Sequence, residues 1–405
     1  MNFLKRATDY TVFLEGSRKC FRSKNYNYDF NLKNGYFARW GEKEEDDPEM
    51  SIYGPEILDI EVTTKCNGID GKLCAYCYKS NTPKGTNMSL ETFKKVIDEV
   101  NFNQQLTQVA FGLDSTAEAN PDLWAMCDYL RENHIIPNGT VAQLTMANAV
   151  KIVQNFGGVA ISYHSDFEVL ADTVDLLNKL KTERDDSSPF YLIKKTLQQI
   201  NIHFMISEET YEECLKLVEM IKTDARFEGL NAVVLLGLKK CGRAEKGFNR
   251  LSDEHFSNLV NLFMSNSIGF GFDSCSANRF EAWARDDVSE KIGKRWEKDS
   301  DPDRDGGSFA RNAYIEMQEE RLKELIQMIE PCESGLFSSY VDVNGNFYPC
   351  SFNEKPCYKF DVINGESLED FKDKPVRFKH HWDFGLELWR MKLRESKRSC
   401  PEYEV

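Results

Sequence analysis

Three cysteines stand close together in "CNGIDGKLCAYC": Cys66, Cys74 and Cys77, in a C-x7-C-x2-C spacing with Gly68 and Gly71 inside the first gap. Thiols in such numbers grip a zinc ion, form a redox pair, staple a small fold or hold an iron–sulfur cluster. Structural zinc takes four ligands, and the nearest histidine in sequence is His134. A redox pair uses Cys74 and Cys77 and leaves Cys66 idle. A [4Fe–4S] cluster on three thiolates leaves one iron open to a small molecule. Spacing alone leaves zinc and the three-cysteine cluster level.

The elements around the trio tip the balance. Apolar strand patterns at residues 57–64, 107–112, 140–145, 158–164, 200–207, 231–238 and 268–274 alternate with amphipathic helix patterns. One helix pattern starts at Ser89, a candidate N-cap, with Leu90, Phe93, Val96, Ile97 and Val100 on one face. Others start at Ser207 and Ser252. Strand–helix alternation predicts an α/β chain, a parallel sheet or barrel with helices outside and its site at the C-terminal strand ends. The trio directly follows the first strand, where such a site belongs, and that position favours the cluster.

Strand parity adds a property of the interior. Ile202, Phe204 and Ile206 share one face, and Asn201, His203, Met205 and Ser207 the other; Asp59, Glu61 and Thr63 alternate with Leu58, Ile60 and Val62 in the same way. A filled barrel core is apolar on both faces of each strand, so a polar inner face predicts a polar ligand inside.

The trio and its place resemble the radical SAM superfamily, whose members carry three clustered cysteines after the first barrel strand, most often as C-x3-C-x2-C with an aromatic residue before the last. Tyr76 takes the aromatic place, and the first gap is longer here. The resemblance covers about residues 57–275. It implies a partial (β/α)6-type barrel, a [4Fe–4S] cluster on Cys66, Cys74 and Cys77, and S-adenosyl-L-methionine chelated to the open iron. It further implies cleavage to a 5′-deoxyadenosyl radical that takes hydrogen from substrate, with the electron coming from a reduced flavodoxin or ferredoxin-type donor. The family's Gly-Gly-Glu stretch after the second strand has its counterpart in "FGLDSTAEANPDL", which keeps Gly112 and offers Asp114, Ser115 or Thr116 for the missing glutamate. By the same resemblance Ser162 meets the methionyl carboxylate, while Met205, Ser207 and Leu236 line the adenosine. His164 and Asp273 are the candidate catalytic groups.

Farther on, Cys332-x12-Gly345-x4-Cys350 resembles the start of the SPASM or twitch extension. The later run of four cysteines is absent, which implies one auxiliary [4Fe–4S] cluster, on Cys275, Cys332, Cys350 and Cys400, with Cys357 in reserve. The expected organisation is a solvent-facing lead-in over 1–55, a core barrel over 56–285, and a linker helix with a twitch-like domain over 286–405. Relatives with such extensions modify peptides, so a peptide or protein is the first substrate expectation; a carbohydrate or nucleotide precursor is the alternative. From a different class, a non-catalytic metal-binding protein also fits the cysteines.

Composition sets the outer limits. The 405 residues carry a formal net charge of −15, which argues against unspecific contact with nucleic acid or anionic membrane. With neither a secretory h-region nor a span-length apolar run, the chain reads as cytoplasmic, where its 12 cysteines do not suit a disulfide scaffold. Cys20, Cys127, Cys214 and Cys241 read as buried structural thiols, and His203 as a hydrogen-bonded barrel filler. His380 and His381 read as a solvated or interface patch, and Arg243 and Arg250 as surface cations.

Overall fold

The computed structural model describes residues 1–297, 307–327, 329–353, 355–360, 378–396 and 400. Most of the linker expected at 301–307 and, apart from Cys400, the tail 397–405 lie outside these.

The lead-in folds. Strands β1 (Asn2–Arg6), β2 (Tyr10–Glu15), β3 (Arg18–Ser23), β4 (Asn27–Asn31) and β5 (Phe37–Trp40) form a five-stranded antiparallel sheet in sequential order. The expectation of a solvent-facing segment is corrected by its aromatics. Phe21, Tyr26, Tyr28 and Tyr53 close into one cluster, with the Phe21 and Tyr53 rings 4.8 Å apart. Aromatic cross-strand pairs of this kind stabilise a sheet that is polar by composition.

The larger sheet holds the expected parallel strands: β6 (Ile57–Glu61), β7 (Gln108–Gly112), β8 (Ile136–Val141), β9 (Gly158–Ser162), β10 (Gln199–Ile206), β11 (Ala232–Gly237) and β12 (Phe270–Phe272). They lie side by side in chain order, every neighbouring pair parallel, the sheet continuing from β6 onto β13 (Ser338–Val341), β14 (Asn346–Tyr348) and β15 (Tyr358–Lys359). This is the open, partial barrel of an α/β chain. The crossovers carry α1 (Leu90–Val100), α2 (Leu123–Glu132), α3 (Met146–Asn155), α4 (Phe167–Thr182), α5 (Tyr211–Thr223) and α6 (Asp253–Ser265). Ser89 and Ser252 cap α1 and α6 as expected, accepting from the Thr92 and His255 amides. Phe93, Val96, Ile97 and Val100 bury the predicted face of α1.

Two boundaries shift. The third strand runs over 136–141 rather than 140–145; "IPNGTV" lacks apolar alternation, so only its neighbours reveal it. Helix α7 (Ala277–Glu297) crosses the boundary drawn at 285/286 and packs against α8 (Gly307–Gln327). After β15 come a single turn α9 (Phe378–His380), a π-helical turn (His381–Gly385) and α10 (Glu387–Glu395). His381 is buried, its ring 5.6 Å from that of Phe347, which overturns the solvated reading of that residue.

The two sheets meet at the N-terminal ends of the barrel strands. Tyr28 Oη donates to the Gln105 carbonyl (2.7 Å), and Lys19 Nζ to those of Leu106 (2.6 Å) and His134 (3.4 Å). The turn at Leu32–Gly35 reaches the barrel mouth and borders a cavity of about 250 Å³ together with Gln108, Asn138, Thr140, Gln199 and His203. His203 lies inside, its Nδ1 3.2 Å from the Thr140 hydroxyl, and burial pushes its pKa down to about 4. A neutral imidazole held in this way is the expected filler.

Lys19 gives a stability test. Burial lowers its ammonium from the ordinary 10.5 to about 7. Between those two values the unfolded chain holds a proton that the folded chain lacks, so folding stability rises with pH across that window. Below pH 7 both states are protonated and this dependence vanishes. Denaturation midpoints at pH 7.5 and 9 should rise in the wild type by up to about 1.4 kcal/mol per pH unit from this group. Lys19→Met should remove that slope.

Candidate active site at the barrel rim

The loop after β6 carries all three cysteines of the trio, half-buried, at the C-terminal rim. Its shape follows from backbone bonds: the Cys66 amide donates to the Thr82 carbonyl (3.0 Å) and the Cys77 amide to that of Cys74 (3.4 Å). The Gly68 amide donates to Cys66 Sγ (3.3 Å), and Gly68 sits at φ +68°, where a Cβ would lie 1.9 Å from the Lys72 carbonyl. Only glycine fits that approach. Burial pushes the Cys74 thiol up to about 12, and Cys77 beside it adds to the rise.

Two neighbouring loops hold this one. From the β7 loop, Ser115 Oγ donates to the Gly68 carbonyl (2.8 Å) and lies 3.9 Å from Cys66 Sγ. From the β11 loop, Arg243 donates through its amide to the Cys77 carbonyl (3.0 Å), through Nε to that of Cys74 (2.8 Å) and through Nη1 to that of Asn81 (2.9 Å). The surface reading of Arg243 is thereby corrected: it is a three-point clamp on the cysteine loop. Its position next to Gly242 in a tight turn was the sequence signal.

The other candidates divide by what their polar atoms already do. Asp114 accepts from the Thr116, Glu118 and Ala119 amides and from the Thr116 hydroxyl (2.8–3.1 Å), so it shapes the β7 loop from within. Gly112 approaches Glu61 so closely that a Cβ would stand 3.1 Å from its Cα. Ser162, Met205 and Leu236 are half-buried on the inner faces of β9, β10 and β11. Ser207 is fully buried and spends its hydroxyl capping the turn at Thr210. Tyr76 donates to the Tyr163 carbonyl, its ring 6.2 Å edge-on from His164, whose imidazole burial keeps neutral. Asp273 pairs with Lys239 and accepts from the Gly237 amide (3.0 Å) and the Ser276 amide and hydroxyl (3.2 and 2.8 Å). With both oxygens committed, Asp273 holds the β12 turn in place instead of offering a free base.

The second cysteine set also gathers. Cys275 and Cys400 share a side-chain hydrogen bond that drives the Cys275 thiol far up; the Cys332 and Cys350 thiols are raised first by burial, and each also feels Cys400. Lys239, 6% exposed, faces Cys275 and Cys400 as a balancing cation. Cys357 is exposed and turned to the Phe347 carbonyl (3.5 Å). Cys20, Cys127 and Cys214 are fully buried, as structural thiols should be, while Cys241 is half-buried at the rim. Among the described residues, no three His, Cys, Asp or Glu side chains converge tightly enough for a single metal ion. A cubane cluster spreads its ligands farther apart, and thiols are its donors, so both sets fit such a group by chemistry.

No protein-family model and no curated protein sequence matches the chain. Among solved structures it is similar to Streptococcus suis SuiB bound to the precursor peptide SuiA, at 14% identity and TM-score 0.46, over 82% of this chain and 65% of that one. SuiB bound to S-adenosylmethionine gives the same identity and score, over 82% and 68%. Histidine-tagged anSMEcpe with bound AdoMet follows at 14% identity and TM-score 0.44, over 81% of this chain and 82% of that one. The chain thus spans less than two thirds of SuiB in its peptide complex. Likenesses this distant assign no residue, so the weight rests on the chain's own strand order and cysteine placement.

Proposed function

We propose that the chain is a radical SAM enzyme acting on a peptide or protein, with one [4Fe–4S] cluster on Cys66, Cys74 and Cys77 and an auxiliary one on Cys275, Cys332, Cys350 and Cys400. One observation carries the reading: the trio occupies the rim loop of the first parallel strand, locked to the second strand's loop through Ser115 and Gly68. Three thiols in a half-buried loop, with no fourth from the same loop, suit a cluster that keeps a corner for a bound molecule.

When bound, such a cluster supplies the electron that cleaves S-adenosyl-L-methionine. The protein's part is placement and exclusion of water. Arg243 fixes the cysteine loop, Asp114 rigidifies the loop that faces it, and Tyr76 ties the loop to the end of β9. Backbone around Met205 and Leu236, paired Cα to Cα on β10 and β11, offers an inner wall for the adenosine moiety. His164, neutral and enclosed beside Tyr76, is the group placed to take a proton at the rim. The electron donor we infer is a reduced flavodoxin or ferredoxin.

The test is anaerobic reconstitution followed by metal analysis and dithionite reduction in the presence of S-adenosylmethionine. About eight iron and eight sulfide per chain, with release of 5′-deoxyadenosine, is the expected result. Zinc with no visible absorbance would overturn the reading.

A further inference from the structure

The cavity at the N-terminal mouth of the barrel takes no part in the mechanism above. It lies on the inner face of four consecutive strands, β7 to β10, and is bordered by the Leu32–Gly35 turn. Strand register arranges its walls in rows. Ala110, Asn138, Gly158 and Gln199 are successive Cα partners, and so, one inward step along the strands, are Thr140, Ala160 and Asn201. The space exists because Ala110, Gly158 and Ala160 bring at most a methyl group where their neighbours bring longer polar side chains.

The polar groups of the walls divide into engaged and open ones. Asn138 is engaged: its Nδ2 donates to Gln108 Oε1 (2.9 Å), and its Oδ1 accepts from the Gly158 amide (2.8 Å). Asn201 is open. Its carboxamide is half-buried on a strand, where asparagine is disfavoured, and makes no hydrogen bond among the described residues. His203 meets the Thr140 hydroxyl through Nδ1 (3.2 Å), and its Nε2 has no partner among the described residues. Inward polar groups of this kind are costly unless something completes their hydrogen bonds. Thr140 and Asn201 flank Ala160, about 10 Å apart at the ordinary strand spacing, so a small planar group above the Ala160 methyl reaches both.

Charge narrows what that group is. In a chain of net charge −15 this lining holds no carboxylate, and its one ammonium, Lys33, is exposed on the bordering turn. The His203 imidazole is neutral, since burial lowers its pKa to about 4. A cationic ligand finds no counter-charge on these walls, and an anionic one has to leave its charge among uncharged groups. A carboxamide suits them: it donates through nitrogen, accepts through oxygen and carries no charge. We propose that this cavity is a substrate subsite for a carboxamide, the side chain of an asparagine or glutamine in a peptide, held between Thr140, Asn201 and His203. That the occupant is the substrate rests on the radical SAM reading. The cavity lies directly beneath the wall inferred for the adenosine moiety, with Met205 one inward position, about 6.6 Å, beyond His203 on β10.

The experiment titrates the reconstituted full chain with four probes of one shape and different heads: butyramide, butyrate, butyramidinium and 2-pentanone. Saturation-transfer NMR reads each affinity with and without saturating S-adenosylmethionine, and 5′-deoxyadenosine release is assayed on the same preparations. Butyramide should bind about tenfold more tightly than the other three, with the cofactor present or absent. Asn201→Leu should abolish that preference, and Ala160→Leu, which fills the space above the methyl, should weaken all four. Circular dichroism and iron content establish that each variant is folded and loaded. Equal binding of the four heads, the mark of a cavity that holds only water, overturns the subsite. So does a preference for butyrate, which would make Lys33 the recognising group, an unchanged preference in Asn201→Leu, or displacement of butyramide by S-adenosylmethionine. A preparation that prefers butyramide but releases no 5′-deoxyadenosine overturns the radical reading and leaves the carboxamide site standing; release without the preference does the reverse.

Discussion

Replacing Cys74 by alanine should reduce reconstituted iron from about eight to about four per chain and abolish 5′-deoxyadenosine release. The expectation follows from the loop. Cys74 is the trio member whose thiol burial pushes to about 12, so an unliganded thiolate there is strongly disfavoured. A positively charged cluster core reverses that preference, since coordination requires the deprotonated sulfur. Two sulfur ligands on the remaining loop leave the cluster without a third anchor. The scaffold should survive, because Cys74 contributes its carbonyl, not its side chain, to the Arg243 clamp. The reciprocal variant Cys275→Ala should lose the other half of the iron, and the double variant should lose nearly all of it. Iron loss confined to one variant, or zinc in either set, would break the two-cluster assignment. Iron, sulfide and 5′-deoxyadenosine measured on one set of preparations decide between these outcomes.

How much of this was legible in the residues depends on distance along the chain. The barrel strands announced themselves because β10 alternates cleanly and β11 is an unbroken apolar run, and the structure buries Ile202, Phe204, Val233 and Leu235. The helix starts were local too, since Ser89 and Ser252 need only the residue three positions on. The N-terminal sheet was not legible as a folded layer: its stabilising contacts join Tyr28 to Gln105 and Lys19 to Leu106, across 77 and 87 residues. Strand β8 was misplaced because Pro137, Asn138 and Gly139 carry no hydrophobic period, and only flanking strands complete it. The pairing of β13 with β6 also escaped pattern reading, although it brings Tyr340 beside Asp59. Side-chain roles were harder still. Asp114 and Asp273 looked like ligand-facing carboxylates, but backbone amides within five residues and at Gly237 take up their oxygens.

Glycine substitutions in and around the cysteine loop should separate loop shape from sulfur chemistry. Gly68, Gly71 and Gly242 all sit at positive φ, +68°, +77° and +58°, so alanine costs each about 1–2 kcal/mol of backbone strain. Their surroundings differ. At Gly71 an added Cβ meets nothing within 4 Å, whereas at Gly68 it would lie 1.9 Å from the Lys72 carbonyl and at Gly242 2.3 Å from that of Tyr78. Those obstacles are backbone atoms, which cannot step aside as a side-chain tip can. Gly68→Ala must therefore open the turn that presents its amide to Cys66 Sγ and its carbonyl to Ser115. Gly242→Ala must push the β11 loop outward and draw Arg243 away from Cys74, Cys77 and Asn81. Both should lower iron uptake at the trio and 5′-deoxyadenosine release by about tenfold or more, since misplacing ligands by an ångström is that costly, while Gly71→Ala stays near wild type. Reconstitution of all three variants alongside Cys74→Ala is the measurement. Equal behaviour of Gly71→Ala and Gly68→Ala would mean that backbone strain alone governs the loop, and that the close approach to Lys72 plays no part in placing the sulfurs.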